Sequence, residues 1–411
     1  MTTTKSGISE SRRAVGAALL SVLAALLVSA CGSGSESPPP QSEAAPQQIP
    51  AQDTEWLEAA EQVAAPGGDA ALAVEALRAM PAAGLGLSPR IRQVVVFGDS
   101  LSDVGTYKVG AIAQVGGGKF TTNPGPVWPE TLGILLRARV TPYRQGFDGV
   151  VQILGGTGFA MGGSRVSQQP GIGCNYDPTT DACTAALTIP VTQQITDYLA
   201  DNDDRFRRDQ LVLLLAGAND IFFQLGVFQA RVTAGVPQDQ AANEALAAVQ
   251  QAALELAGQV RRILAKGASR VVVLNLPEIS ATPFGKAPET APVRPLIAGM
   301  VQTFNGALAA GLQGTDATLL DLHAEFNRVL ENPYRYLVRE IDVPACDPAK
   351  ISAITNGLEQ GGSSLFCSRQ TLLQNGAALT YLFADGVHPT TLGHLIFTRF
   401  ILVGIWKQGL L

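Results

Sequence analysis

The chain holds 411 residues, 46% hydrophobic and 16% charged, with Gly 43 and Pro 25. It is too apolar and too weakly charged for a disordered chain, and long enough to bury a large core. Lysine and arginine total 29 against 35 acidic residues, a net charge of −6 that offers no basic field to nucleic acid.

The N-terminus reads as an export signal. Lys5, Arg12 and Arg13 precede the uncharged apolar run Ala14–Ala30, which ends Val28-Ser29-Ala30 before Cys31. A cysteine at that place resembles bacterial lipoprotein signals, with Val28 where leucine is usual. The resemblance implies cleavage after residue 30 and lipidation of Cys31. It also implies a cell-envelope protein, in the outer membrane of a Gram-negative source because Gly32 follows. Cleavage leaves 26 basic and 34 acidic residues, a net charge of −8. Attachment to an anionic membrane would then rest on the lipid and not on charge.

Residues 31–52, rich in Ser, Pro and Gln, read as a flexible tether. Residues 53–90 read as a helical N-terminal extension broken at Pro66-Gly67-Gly68, and 91–411 as one domain.

From Ile91 onward short apolar runs alternate with helical stretches. Gln93–Phe97, Gln210–Ala216, Arg270–Asn275 and Thr318–Leu322 are rich in Val and Leu on both alternating faces, the pattern of buried parallel strands. A fifth, weaker run lies near Val150–Leu154 or just after it. Helical spacing covers Trp128–Ala138, Pro190–Ala200, Pro237–Lys266, Val293–Leu312 and Thr391–Trp406. The alternation predicts a doubly wound α/β sheet with right-handed crossovers. In such sheets ligands bind beyond the carboxyl ends of the strands.

Apart from Cys31 there are four cysteines, Cys174, Cys183, Cys346 and Cys367, an even set that suits two disulfides in an oxidising compartment. Of three possible connectivities, Cys174–Cys183 and Cys346–Cys367 each close within one loop rich in Gly, Pro and Asp. No C-x-x-C pair suggests zinc, and three histidines (His323, His388, His394) are too few for a histidine-rich metal centre.

Three strand ends or turns carry chemistry. The first strand runs into Gly98-Asp99-Ser100-Leu101-Ser102-Asp103, placing a serine among main-chain N–H groups that can hold an oxyanion. The second runs into Gly217-Ala218-Asn219-Asp220, with an amide donor in Asn219. Near the C-terminus, Asp385-Gly386-Val387-His388-Pro389 puts a carboxylate three residues before an imidazole. That spacing lets the carboxylate grip one ring nitrogen while the other faces outward as a base. The nucleophile-elbow pattern G-x-S-x-G is absent. The plainer readings are Ser100 as a helix cap and Asn219 as a turn residue. Asp99, Asp103 and Asp220 read as structural acceptors, His394 as a packed or surface histidine, and Trp128 as helix packing. His323 is the rival base.

These blocks, in this order, resemble those of the GDSL, or SGNH, hydrolases. Phe97–Asp103 is similar to the first family block, Gly217–Asp220 to G-x-N-D, and Asp385–Thr390 to D-x-x-H-P. Phe120–Trp128 resembles the segment F-x-N-G-P-V-W of the lipolytic branch. The resemblance implies a flavodoxin-like three-layer α/β/α sandwich with a mainly parallel five-stranded sheet. It implies Ser100 as nucleophile, His388 as base and Asp385 as its orienting acid. The oxyanion hole would be the Ser100 and Gly163 N–H groups and the Asn219 side chain. In the block N-[FY]-A-x-G-G, Gly158 stands in place of Asn, and Gly162 is the neighbouring alternative to Gly163. No metal or organic cofactor is implied, since water completes the reaction.

The expectation is a serine ester hydrolase, an esterase or lipase, with phospholipids among the substrates considered. The alternatives are an acyltransferase or polysaccharide O-acetyl esterase using the same acyl-enzyme, or a non-catalytic surface binding lipoprotein on this fold.

Overall fold

Four runs of Val, Leu and Phe become strands because their side chains find cover on both faces. They are β1 (Gln93–Gly98), β2 (Gln210–Leu215), β3 (Val271–Leu274) and β4 (Thr318–Leu320), hydrogen-bonded side by side in that order and all parallel. Residues 94–97, 211–215 and 271–274 are buried throughout, as a parallel sheet clad in helices requires. One row crosses the whole sheet: Val96 beside Leu213, Leu213 beside Val272, Val272 beside Thr318. The computed structural model describes residues 91–411 apart from Pro178 and Asp181. The expected export signal, Cys31, the tether and the helical extension lie outside the described residues.

The fold is the expected α/β one, with one correction. A five-stranded sheet was expected, and the sheet among the described residues has four strands. Val150–Ile153 instead pairs antiparallel with Arg144–Phe147 as a separate, exposed hairpin. The stretch just after it occupies the free edge of β1. Val96 N–H donates to Thr157 O at 3.0 Å, Phe159 N–H donates to Val96 O at 2.8 Å, and Val96 and Gly158 form one parallel bridge. The glycines around this stretch prevent a continuous ladder. Counting it as the second element, the order is 2-1-3-4-5, the flavodoxin-like order with its switch point beside the first strand.

Helices cover the sheet. They are α1 (Trp128–Leu135), α2 (Val191–Asp201), α3 (Ala218–Thr233), α4 (Gln238–Ala265), α5 (Arg294–Leu312), α6 (Leu322–Glu331) and α7 (Thr391–Lys407). α4 packs against α2, α3 and α5, whereas α7 packs against α1 and α6. Right-handed crossovers place these groups on opposite faces. α1 stops at Leu135, short of the predicted Ala138, because the chain turns into a left-handed conformation at Arg137. Among the described residues no helix is long and apolar enough to cross a membrane. The disulfides are Cys174–Cys183 and Cys346–Cys367, as the loop composition predicted.

Candidate active site

The site forms where β1, β2 and the turn before α7 meet. At the end of β1, Gly98 is required: with φ +152° its added Cβ would lie 2.1 Å from Leu215 O on β2. Gln194 of α2 secures the same residue, accepting Gly98 N–H at 3.0 Å and donating to Gly98 O at 2.9 Å. The chain then enters a single 3-10 turn, Ser100–Ser102. Its cap is Asp99, whose Oδ1 accepts Leu101 N–H at 3.1 Å, so Ser100 is not the capping residue.

Ser100 Oγ lies 2.8 Å from His388 Nε2. His388 Nδ1 lies 2.8 Å from Asp385 Oδ2 and 2.9 Å from Oδ1. The turn carrying this pair closes on itself: Ala384 N–H donates to His388 O at 2.7 Å, and Thr390 caps α7 by accepting Gly393 N–H. Asp385 also accepts three main-chain N–H groups: Val387 at 2.9 Å, His388 at 2.8 Å, and Ser364 at 2.8 Å from a distant loop. Burial alone would raise the Asp385 carboxyl. The facing imidazole and these donors outweigh burial and hold it well below the ordinary carboxylate range.

Asn219 stands in the first turn of α3, its Nδ2 donating to Ser164 O at 2.9 Å, which leaves its second amide hydrogen for another acceptor. Of the two candidate glycines, Gly162 N–H is taken by Asp103 Oδ2 at 2.9 Å. Gly163 N–H and Ser100 N–H have no acceptor among the described residues. Gly163 has φ +79°, and an added Cβ would lie 2.0 Å from Ile172 O. The segments flanking the Cys174–Cys183 loop pack directly onto this glycine through Ile172 and Thr188, with Ile172 N–H donating to Gly163 O at 2.9 Å.

The remaining acids are structural acceptors, as the sequence suggested. Asp103 ties its own turn, accepting Gly105 and Thr106 N–H, to the turn at Gly162; burial pushes its carboxyl up to about 6. Asp220 pairs with the buried Arg165 at 3.2 Å and accepts Val166 N–H, and burial raises it to about 6 despite the guanidinium. Asp99 Oδ2 is buried with no partner among the described residues, and burial lifts this carboxyl to about 7.

His323 is not joined to Ser100; its Nε2 faces Glu278 at 3.2 Å and its Nδ1 faces Asn327. His394 is fully buried, its Nδ1 accepting Trp128 N–H and its Nε2 facing Phe120 O, both at 3.3 Å; burial lowers its pKa to about 3. Trp128 is core packing, with no exposed surface. The sequence reading missed Ser364, which reaches Asp385 through a main-chain N–H, and Phe120, whose ring centroid lies 4.8 Å from that of His388.

Residues 94–401 match the family model described as GDSL-like Lipase/Acylhydrolase. Two plant relatives carry the name anther-specific proline-rich protein APG. The Brassica napus protein is 31% identical over 34% of this chain and 30% of its own length. The Arabidopsis thaliana protein is 24% identical over 58% of this chain and 44% of its own. An uncharacterized protein in the trpE-trpG intergenic region of Pseudomonas putida is 30% identical over 56% of this chain and 35% of its own length. The chain thus spans less than half the length of each of these relatives.

Proposed function

The chain belongs to the GDSL-like lipase/acylhydrolase family, and from that membership we propose that it is a serine hydrolase of carboxylic esters acting through an acyl-enzyme on Ser100. The observation that carries the proposal is the unbroken relay Ser100 Oγ, His388 Nε2, His388 Nδ1, Asp385, with 2.8 Å at both ends. His388 takes the Ser100 proton as Oγ attacks the ester carbonyl. Asp385 fixes the tautomer and stabilises the imidazolium. The tetrahedral oxyanion is received by the Ser100 N–H, the Gly163 N–H and the second amide hydrogen of Asn219. His388 returns the proton to the leaving alcohol, and water, deprotonated by the same imidazole, releases the acid and restores Ser100.

Apolar acyl esters are favoured by the segment Phe120–Trp128, which resembles the lipolytic branch and sets the Phe120 ring 4.8 Å from that of His388; residues 149–164, leading to Gly163, carry no charge. The test is a panel of acyl esters of graded chain length, with Ser100→Ala as the control. A loss on the order of 10³-fold or more in a folded variant is expected. Retained hydrolysis in folded Ser100→Ala would falsify the assignment.

The proposed place of action is the cell envelope, with the enzyme tethered through a lipidated Cys31. Support comes from the export-like run 14–30 ending at that cysteine. Cys31→Ser should move the protein from the membrane fraction to the soluble one, since acyl chains and not charge would hold it. A variant still in the membrane pellet would rule the anchor out.

A further inference from the structure

The segment Phe120–Trp128 has no part in the proton relay, yet it is built against it. Asn123 is buried, and its Nδ2 lies 2.9 Å from Lys119 O, 3.2 Å from Thr121 O and 3.2 Å from Ser364 O. Its Oδ1 accepts Lys119 N–H at 3.1 Å. One amide thus joins its own loop to a residue 241 positions away in sequence. Ser364, gripped by its carbonyl, is the residue whose N–H donates to Asp385 Oδ2 at 2.8 Å.

The two oxygens of Asp385 are held differently. Oδ1 accepts the N–H groups of Val387 and His388, from its own turn. Oδ2, which makes the 2.8 Å contact to His388 Nδ1, receives its main-chain donor only from Ser364 among the described residues. Without that donor only the Oδ1 contacts and the imidazole restrain the carboxylate, and Oδ2 can tilt out of the imidazole plane. We infer that Asn123 is a positioning residue for the relay, holding Ser364 so that its N–H fixes the plane of the Asp385 carboxylate. The same loop supplies Phe120 against the His388 ring, so it steadies both members of the pair.

This inference rests on the reading of Asp385 and His388 as the working pair, and its test separates the two. Asn123→Ala is made in the wild-type background and in Asp385→Asn, and kcat and KM are measured on one short ester. In the wild-type background kcat should fall roughly tenfold with KM little changed, as expected for a misoriented group and not for lost binding. In the Asp385→Asn background the same substitution should change kcat by less than about twofold, because the carboxylate it orients is gone. An equal loss in both backgrounds, or no loss in the first, overturns the inference.

A second readout needs no turnover. The proton between His388 Nδ1 and Asp385 should give a downfield NMR resonance, assigned by its disappearance in His388→Ala. Asn123→Ala should broaden or shift it, and an unchanged resonance overturns the inference. If the wild-type protein hydrolyses no ester, the proposed function fails while this resonance still judges the clamp. Should Asn123→Ala not fold, Asn123→Ser, which keeps one donor for three carbonyls, is measured by the same resonance and judged by the same outcomes.

Discussion

Replacing Cys346 and Cys367 together by alanine should cost both stability and rate. The bridge closes a sequence separation of 21 residues. Loop-closure entropy at that length corresponds to about 3 kcal/mol, lost when the unfolded chain is no longer constrained. Spread over a domain of this size, that is a fall of roughly 5 °C in Tm. The rate effect follows from what the two cysteines hold. Cys346 N–H donates to Ala384 O at 3.0 Å, and Ala345 N–H to Phe383 O at 2.8 Å, so one end grips the stretch entering Asp385. Cys367 ends the 3-10 turn Ser364–Phe366, so the other end grips the donor to Asp385 Oδ2. Both neighbours of the carboxylate are tied to one covalent link, and losing it should lower kcat by several-fold to tenfold with KM nearly constant. Peptide mapping without reduction first establishes the pairing, and thermal melting with steady-state turnover on a short ester then reads both effects. A lower Tm with unchanged kcat would show that the bridge stabilises the loop without placing Asp385. An unchanged Tm would refute the entropy argument as well.

Gly163→Ala should lower kcat about 100-fold and destabilise the fold, because its Cβ would lie 2.0 Å from Ile172 O beside a proposed oxyanion donor. Gly155→Ala, with a similar φ of +74° and nothing within 4 Å, should cost only the roughly 1–2 kcal/mol of a left-handed non-glycine residue; like behaviour of the two in melting and turnover would contradict the packing argument. Asp99, raised to about 7 by burial, keeps its proton in the folded protein between about pH 4 and 7, where the unfolded chain has lost it. Its contribution to stability therefore falls as pH rises through that window, by on the order of 4 kcal/mol at most. Asp99→Asn, which retains an acceptor for Leu101 N–H, should raise Tm more at pH 8 than at pH 5, and an equal change at both would disprove the buried-acid reading.

Much of this was legible in the sequence because the relevant signals are local. Val94–Phe97 and Leu211–Leu215 are apolar on both faces, as strands of a covered parallel sheet are. Ser100, Asn219 and the Asp385–His388 turn sit where strand ends and short spacings put them, and both cysteine pairs close within their own loops. The fifth edge element was harder. The run was expected near Val150–Leu154 or just after it, and the stretch just after it lies along β1, whereas Val150–Ile153 itself forms an exposed hairpin. Ser364 left no trace because it acts through a main-chain N–H, which every residue but proline has. Asn123 stood inside a segment noticed for its resemblance, but its partner lies 241 residues away, and no local pattern links the two. What separates Gly162 from Gly163 is Asp103, whose bond to the Gly162 N–H crosses 59 residues of sequence and leaves Gly163 as the proposed donor.

The central claim is that Ser100 is the nucleophile, and a mechanism-based phosphonate tests it most directly. The protein is treated with an alkyl fluorophosphonate, digested and analysed by mass spectrometry. The account predicts one phosphonyl group on the peptide containing Ser100, absent from Ser100→Ala and formed far more slowly in His388→Ala. A label on another residue, or none on a folded protein that still hydrolyses esters, would contradict it.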